Sequence, residues 1–249
     1  MRFSIEMSEE KFIETFRKSV CFYLIEKGYA ERELSDVVQE DFLNDMKKVY
    51  FLDMAEKENG IFRHYVNEDD LSKAGVDREE LRRLAVENTL RLYKPEIKGI
   101  SGALIAMMER SKAETEEDLD AKIEKARADA PILDERMFYL SDLRLGNNKG
   151  TTGGCYLAIK EVLDWACESI GTKAVFILPC STHELLVVPR DKLFVSASVE
   201  GLTRMVHEVN AAEVRPYELL SNDVYFYERG AEGVRVAEEG DIPACECIA

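Results

Sequence analysis

Residues Ala174 to Arg190 read AVFILPCSTHELLVVPR and place Cys180, Ser181, Thr182, His183 and Glu184 consecutively between two apolar runs. Catalytic and binding groups concentrate on loops that a rigid scaffold positions, so this turn is the first candidate site. A second reactive group stands upstream. Cys155 follows Gly153-Gly154 and opens CYLAIKEVLDWACESI, an amphipathic stretch with Leu157, Val162, Trp165 and Ile170 apolar. A thiol at a helix N-terminus is pushed toward thiolate by the helix dipole. With His183 as base, the pair has the makings of a papain-like cysteine hydrolase. The group that would orient His183 is open between Asn210 and Asp191, since Glu184 alternates to the other side of a strand.

Two further chemistries are weighed on the same residues. The loop GNNKGTTGG, from Gly146 to Gly154, lies between a strand and a helix, where backbone N–H groups can hold an anion. Lys149, Thr151 and Thr152 would add contacts, with Ser181 and Glu184 as binding groups on the neighbouring turn. Neither GxxxxGK[ST] nor GxGxxG is present, so no nucleotide signature supports it. Cys180-x-x-His183 and Cys245-x-Cys247 offer soft ligands, but not the paired spacings of zinc sites. No metal and no cofactor is expected. His64 and His207 are isolated and read as surface or hydrogen-bonded residues. Tyr225 and Tyr227 share one strand face and read as core, because a base-stacking platform needs basic neighbours.

The elements that must position these groups fall into two textures. Ser8 is an N-cap for a helix carrying Phe12, Ile13, Phe16, Val20, Tyr23 and Leu24 near helical spacing. A second helix is expected through Val38, Phe42, Leu43, Met46, Val49 and Tyr50, ending at Glu58-Asn59-Gly60. A third starts at Asp77, with Glu80 as capping partner and Pro95 as stop. Glu96 to Ile100 reads as a short strand and Ser101 to Arg110 as helix. The charged run ERSKAETEEDLDAKIEKARAD has the mixed signs of an exposed helix. From Met137 the order becomes strand, helix, two strands, helix, two strands. The predicted class is α+β: a helical region over 1–130, then an α+β sheet domain over 131–249, mainly antiparallel with helices packed on one face.

The chain has 249 residues, 49 Asp+Glu against 33 Lys+Arg, and a net charge of −16. Such a surface repels nucleic acid and anionic membranes and leaves a basic protein partner open. No apolar run approaches a membrane span, and the opening residues do not form a signal peptide. The cysteines at 21, 155, 167, 180, 245 and 247 suit reduced thiols in a cytoplasmic protein.

Three segments together resemble a family: VDREELRRLAVENTLRLYKPEI (Val76 to Ile97), FILPCSTHELLVVP (Phe176 to Pro189) and MVHEVNAAEVRPYELLSNDVYFYE (Met205 to Glu228). They are similar to the "eeL…A…NT…P", "ILPSS-x-HE" and "EVN…LSD-x-VY" segments of the bacterial domain-of-unknown-function family 5688, found in Clostridia-type bacteria. The likeness runs from about Val76 to the end, roughly two thirds of the chain. Cys180 stands where the family shows Ser, and Gly154-Cys155 where it shows Gly-Ala. The resemblance therefore implies a fold unit and turns interest from the thiols to Ser181, His183 and Glu184. The expected function is a non-enzymatic protein-interaction or regulatory role, of mobile-element or phage-conflict context, with the Cys155/His183 hydrolase as alternative. The partner is expected to be a protein, with no direct nucleic-acid binding and no membrane.

Overall fold

The computed structural model describes residues 8–57, 60–101, 115, 117–118, 121, 136–142, 153–179, 181–194 and 196–243. It forms two units, Met1–Lys94 and Pro95–Ala249. The class is α+β with antiparallel sheets, as the sequence predicts. The division falls after Lys94, upstream of the expected 130, because the strand Glu96–Gly99 pairs with Phe138–Ser141 in the second sheet.

In the first unit, α1 (Glu9–Ser19) starts where the Ser8 hydroxyl accepts from the Lys11 N–H, with Glu9 and Glu10 complementing its dipole. It ends sooner than the apolar spacing suggests. Val20, Tyr23 and Leu24 belong to β1 (Val20–Glu26), a run whose first six residues are all buried. α2 (Lys27–Glu33) follows, capped by the Glu26 carboxylate on the N–H groups of Gly28 and Tyr29.

The expected second helix is instead a pair of strands, β2 (Gln39–Phe42) and β3 (Met46–Lys57), joined through a turn in which Leu43 has φ 55°. Its apolar residues fit both periods. Alternation decides: Val49 and Phe51 join Cys21, Tyr23 and Ile25 in the core cluster under α2, and Tyr50 and Leu52 face the other way. Gly60 opens β4 (Gly60–Tyr65) and caps no helix; residues 58 and 59 lie outside the described set. α3 (Glu68–Ala74) carries a capping box between Asn67 and Asp70 and closes on Gly75 with φ 63°. α4 (Arg78–Leu92) begins where predicted, with the Asp77 side chain on the Glu80 N–H. His64 is hydrogen-bonded to Asp70 at 2.8 Å.

The sheet order is β1-β3-β2, with β4 also on β3, so β1 is an edge. α4 lies along it. Thr89 Oγ1 accepts from the Phe22 N–H at 3.3 Å, and Asn88 Nδ2 donates to the carbonyls of Val20 and Arg17, each at 3.0 Å. The "NT" of the first signature segment thus caps a sheet edge.

In the second unit the strand order is β10-β9-β7-β8-β6-β5. These are β5 (Glu96–Gly99), β6 (Phe138–Ser141), β7 (Ala174–Pro179), β8 (Glu184–Pro189), β9 (Tyr225–Glu228) and β10 (Arg235–Val236). α5 (Lys160–Ile170) and α6 (Val199–Glu213) cover opposite faces, where the sequence suggested one face. Leu202 and Val206 of α6 pack on Phe176, Leu178, Val188 and Phe226. Tyr227, next along β9, points the other way and donates to Asp164 of α5 at 2.8 Å. This explains why every residue of β7 is buried. Most of the charged run after Ser101 lies outside the described residues.

Asp164 also accepts from Lys160 Nζ at 2.5 Å and the Gly230 N–H at 2.8 Å. The Lys160 bond first, then the Gly230 and Tyr227 donors, hold its carboxyl down to about 2. A carboxyl depressed by folding stabilises the folded state above its unfolded value and loses that contribution as pH falls through the folded one. The stability difference between the parent and Asp164→Asn is therefore expected to be constant above pH 5 and to close between about pH 4 and pH 2. Urea midpoints across that range check it; a gap that stays constant to pH 2 rejects the clamp.

Candidate functional site

The turn between β7 and β8 is held from both sides. Ser181 Oγ donates to Glu184 Oε1 at 2.8 Å and accepts from the His183 N–H at 3.0 Å. This local Ser turn makes the hydroxyl its hub. The neighbouring Thr182 N–H donates to the Glu218 carbonyl at 2.8 Å, and the Thr182 carbonyl accepts from the Gly154 N–H at 3.1 Å. Ser181 and Thr182 are buried; His183 and Glu184 are partly exposed. Cys180 lies outside the described residues.

Gly153 and Gly154 begin a 3-10 helix, Gly153–Ala158, that lies against this turn. A Cβ on Gly153 would stand 2.2 Å from the His183 carbonyl oxygen and 2.8 Å from Ser141 Cα. On Gly154 it would stand 2.9 Å from the Thr182 carbonyl oxygen. The paired glycines are required for close approach of backbone to backbone. The fold therefore does bring the Cys155 segment to the His183 turn. Cys155 itself is 0% exposed. It also sits in the 3-10 helix, and the α-helix starts only at Lys160. The expected placement of this thiol at an α-helix N-terminus is thus corrected. Burial pushes the other described thiols up, Cys167 to about 11 and Cys21 to about 12.

His183 Nε2 lies 3.5 Å from Glu218 Oε1. Neither expected orienting group reaches it. Asp191 accepts from Thr172 Oγ1 at 2.7 Å, and Asn210 Nδ2 donates to the Ser221 carbonyl and to Asn222 Oδ1, each at 2.9 Å. Glu218 was the missed residue. It lies within the third family-like segment, but nothing in its local spacing ties it to a histidine 35 positions earlier.

The remaining signature side chains stabilise the same region. Ser221 Oγ is 2.7 Å from the Tyr225 hydroxyl and accepts from the Asp223 N–H at 2.9 Å. Asn210 ties α6 to that loop. The chemistry the arrangement offers is an imidazole beside the Glu218 carboxylate, on a turn that the Ser181–Glu184 hydrogen bond braces. Lys149, Thr151 and Thr152 lie outside the described residues, as do Cys245 and Cys247 of the weighed zinc set. The Gly154 N–H of the loop's end is used internally. Among the described residues no cluster of His, Cys, Asp and Glu is placed to hold a metal, and no helix is long and apolar enough to cross a membrane.

A family model described as a family of unknown function, DUF5688, matches residues 1–229. The match reaches both units and starts well before Val76, where the sequence segments placed its beginning. No curated protein and no solved structure matches the chain.

Proposed function

The chain belongs to the DUF5688 family of unknown function, and we propose that it acts as a cytoplasmic bacterial protein-interaction or regulatory module rather than as a catalyst. One observation carries the reading: the buried polar side chains Asn88, Thr89, Ser181, Asn210 and Ser221 of the family-like segments are engaged within the chain itself. Asn88 and Thr89 cap β1, Ser181 binds Glu184 and the His183 amide, and Asn210 and Ser221 brace the loop before β9. Groups that hold a substrate ordinarily point into a cleft; these are tied to backbone and side-chain groups of their own chain. A family whose segments maintain a scaffold in this way presents its working surface elsewhere.

The hydrolase alternative draws on the meeting of the Gly153–Ala158 segment with the His183 turn. Thiol labelling separates the two. Under native conditions Cys155 is expected to react with a soluble disulfide reagent as slowly as Cys167, because both are wholly buried. Peptide mapping of the labelled protein reads the rates. Labelling of Cys155 about a hundredfold faster than Cys167 would sink the interaction reading and support an activated nucleophile.

A further inference from the structure

We propose that the outward stripe of α6 formed by Met205, Val209 and Ala212, bordered by Glu208 and Glu213, is the docking surface for a cationic amphipathic helix of a protein partner. The inference rests on the interaction reading above and names the chemistry of that partner. α6 carries more apolar surface than its own sheet covers. Leu202 and Val206 are buried against Phe176, Leu178, Val188 and Phe226. Met205 and Val209, one turn apart, stay 44% and 43% exposed, and Ala212 is exposed at the next turn. At about 100° per residue the three share about 60° of arc, and Val209 borders Leu202, so the apolar face continues past the sheet into solvent.

The stripe is held still at both ends. Ser198 Oγ accepts from the Gly201 N–H at 3.0 Å, and the Val214 N–H donates to the Asn210 carbonyl at 3.3 Å. Asn210, next to Val209, is buried and ties the helix to Ser221. One side of this segment therefore holds the scaffold while the other faces solvent. A preformed apolar ridge loses little backbone freedom when it is covered, and an exposed Met adapts its shape to what covers it.

Charge selects the occupant. Glu208 stands between the turns of Met205 and Ala212, and Glu213 continues the row of Met205 and Val209. Both carboxylates are exposed, and neither is ion-paired among the described residues. Arg204 and His207 lie about 100° and 160° round the helix from Met205, and Arg215 Nη1 donates to the Tyr217 hydroxyl at 2.5 Å. The stripe thus borders negative charge on a chain whose net charge is −16. A helix with Leu or Ile on one side and Lys or Arg beside them satisfies stripe and carboxylates together, and the field of the whole chain draws it in. A second copy of this chain brings another net −16 and the same carboxylates to the ridge. Amphipathic helices that lie on anionic bilayers carry Lys and Arg beside the apolar face, the opposite of this border. A nucleic acid is repelled along its length.

The test is fluorescence anisotropy of the full chain with a labelled peptide of about 18 residues, five helical turns, carrying Leu at helical spacing on one face and Lys and Arg on the other. Controls are its counterpart with Glu in place of the cations, a scrambled peptide of the same composition, and phosphatidylserine vesicles. The amphipathic cationic peptide is expected to bind and to weaken as salt rises. Met205→Ser with Val209→Ser, and separately Glu208→Lys with Glu213→Lys, should each weaken it by at least about tenfold. Unchanged Trp165 fluorescence and urea midpoint are the folding check. Glu161→Lys with Glu168→Lys makes the same charge change on α5, across the sheet, and should alter binding by less than about threefold. Sedimentation velocity of the chain alone should show a monomer at all concentrations. No binding, equal binding of the Glu counterpart or the scrambled peptide, indifference to either pair of α6 variants, an equal loss from the α5 pair, or preference for vesicles would each overturn the proposal. So would a dimer that Met205→Ser with Val209→Ser abolishes, since the face would then belong to a second copy. If the peptide fails while Cys155 stays unreactive, only the α6 assignment falls. Fast labelling of Cys155 removes the interaction reading itself.

Discussion

Gly153→Ala is expected to destabilise the second unit by about 3 kcal/mol or more, a large share of the stability of an ordinary domain. The added methyl would lie 2.2 Å from the His183 carbonyl oxygen and 2.8 Å from Ser141 Cα. Both obstacles are backbone atoms in or next to strands, so neither can swing aside as a side chain does. Relief requires parting the 3-10 helix from the turn. That breaks the Gly154-to-Thr182 hydrogen bond and loosens the brace on Ser181 and His183. Gly154→Ala should cost less, since one of its close neighbours is the movable Leu220 side chain. Gly233→Ala meets nothing within 4 Å and serves as control, expected within about 0.5 kcal/mol of the parent. Trp165, the single tryptophan, lies on α5 and reports the second unit directly by fluorescence during urea unfolding. Equal midpoints for Gly153→Ala and Gly233→Ala would mean that the close approach is absent in solution.

The same glycines show where the sequence was readable and where it was not. Features with local causes were legible. Asp77 capping α4, Ser8 capping α1, and the strands around His183 follow from side chains within a few positions of the backbone they act on. The first unit's sheet was not legible, because Val38, Phe42, Met46, Val49 and Tyr50 fit helical spacing as well as alternation. The tertiary pairing of Val49 and Phe51 with β1, across a hairpin that turns at Leu43, decides between them. The run Val20–Ile25 posed the same ambiguity, being apolar on both faces. The braced turn was visible as a place, but its partners were not. Gly153 reads as loop flexibility until Ser141 and the His183 carbonyl are seen against it. Glu218 and Asn210 act across distances in sequence that no local rule spans. The second face of the second sheet, under α5, was hidden for a related reason: all six residues of β7 are apolar and name no preferred side.

Asn88→Leu is expected to cost the first unit about 3 kcal/mol and to make it prone to aggregate. Its amide nitrogen serves two carbonyls at once, those of Arg17 at the end of α1 and Val20 at the start of β1. Leucine fills a similar volume and donates nothing, and each buried carbonyl left without a donor costs ~1–3 kcal/mol. Thr89→Val removes one acceptor, the one facing the Phe22 N–H, and should cost less. Thr89→Ser keeps the oxygen and should cost least. The larger consequence follows from what the cap covers. Val20–Ile25 reads VCFYLI, without charge, proline or glycine, and forms the edge of its sheet. Edges of that composition pair with other chains once exposed. Asn88→Leu should therefore speed amide exchange at Phe22 and raise light scattering under mildly destabilising urea. Gly153→Ala, which leaves this edge capped, should leave exchange at Phe22 unchanged. Stability and Phe22 protection equal to the parent in Asn88→Leu would show that Asn88 does not hold this edge in solution.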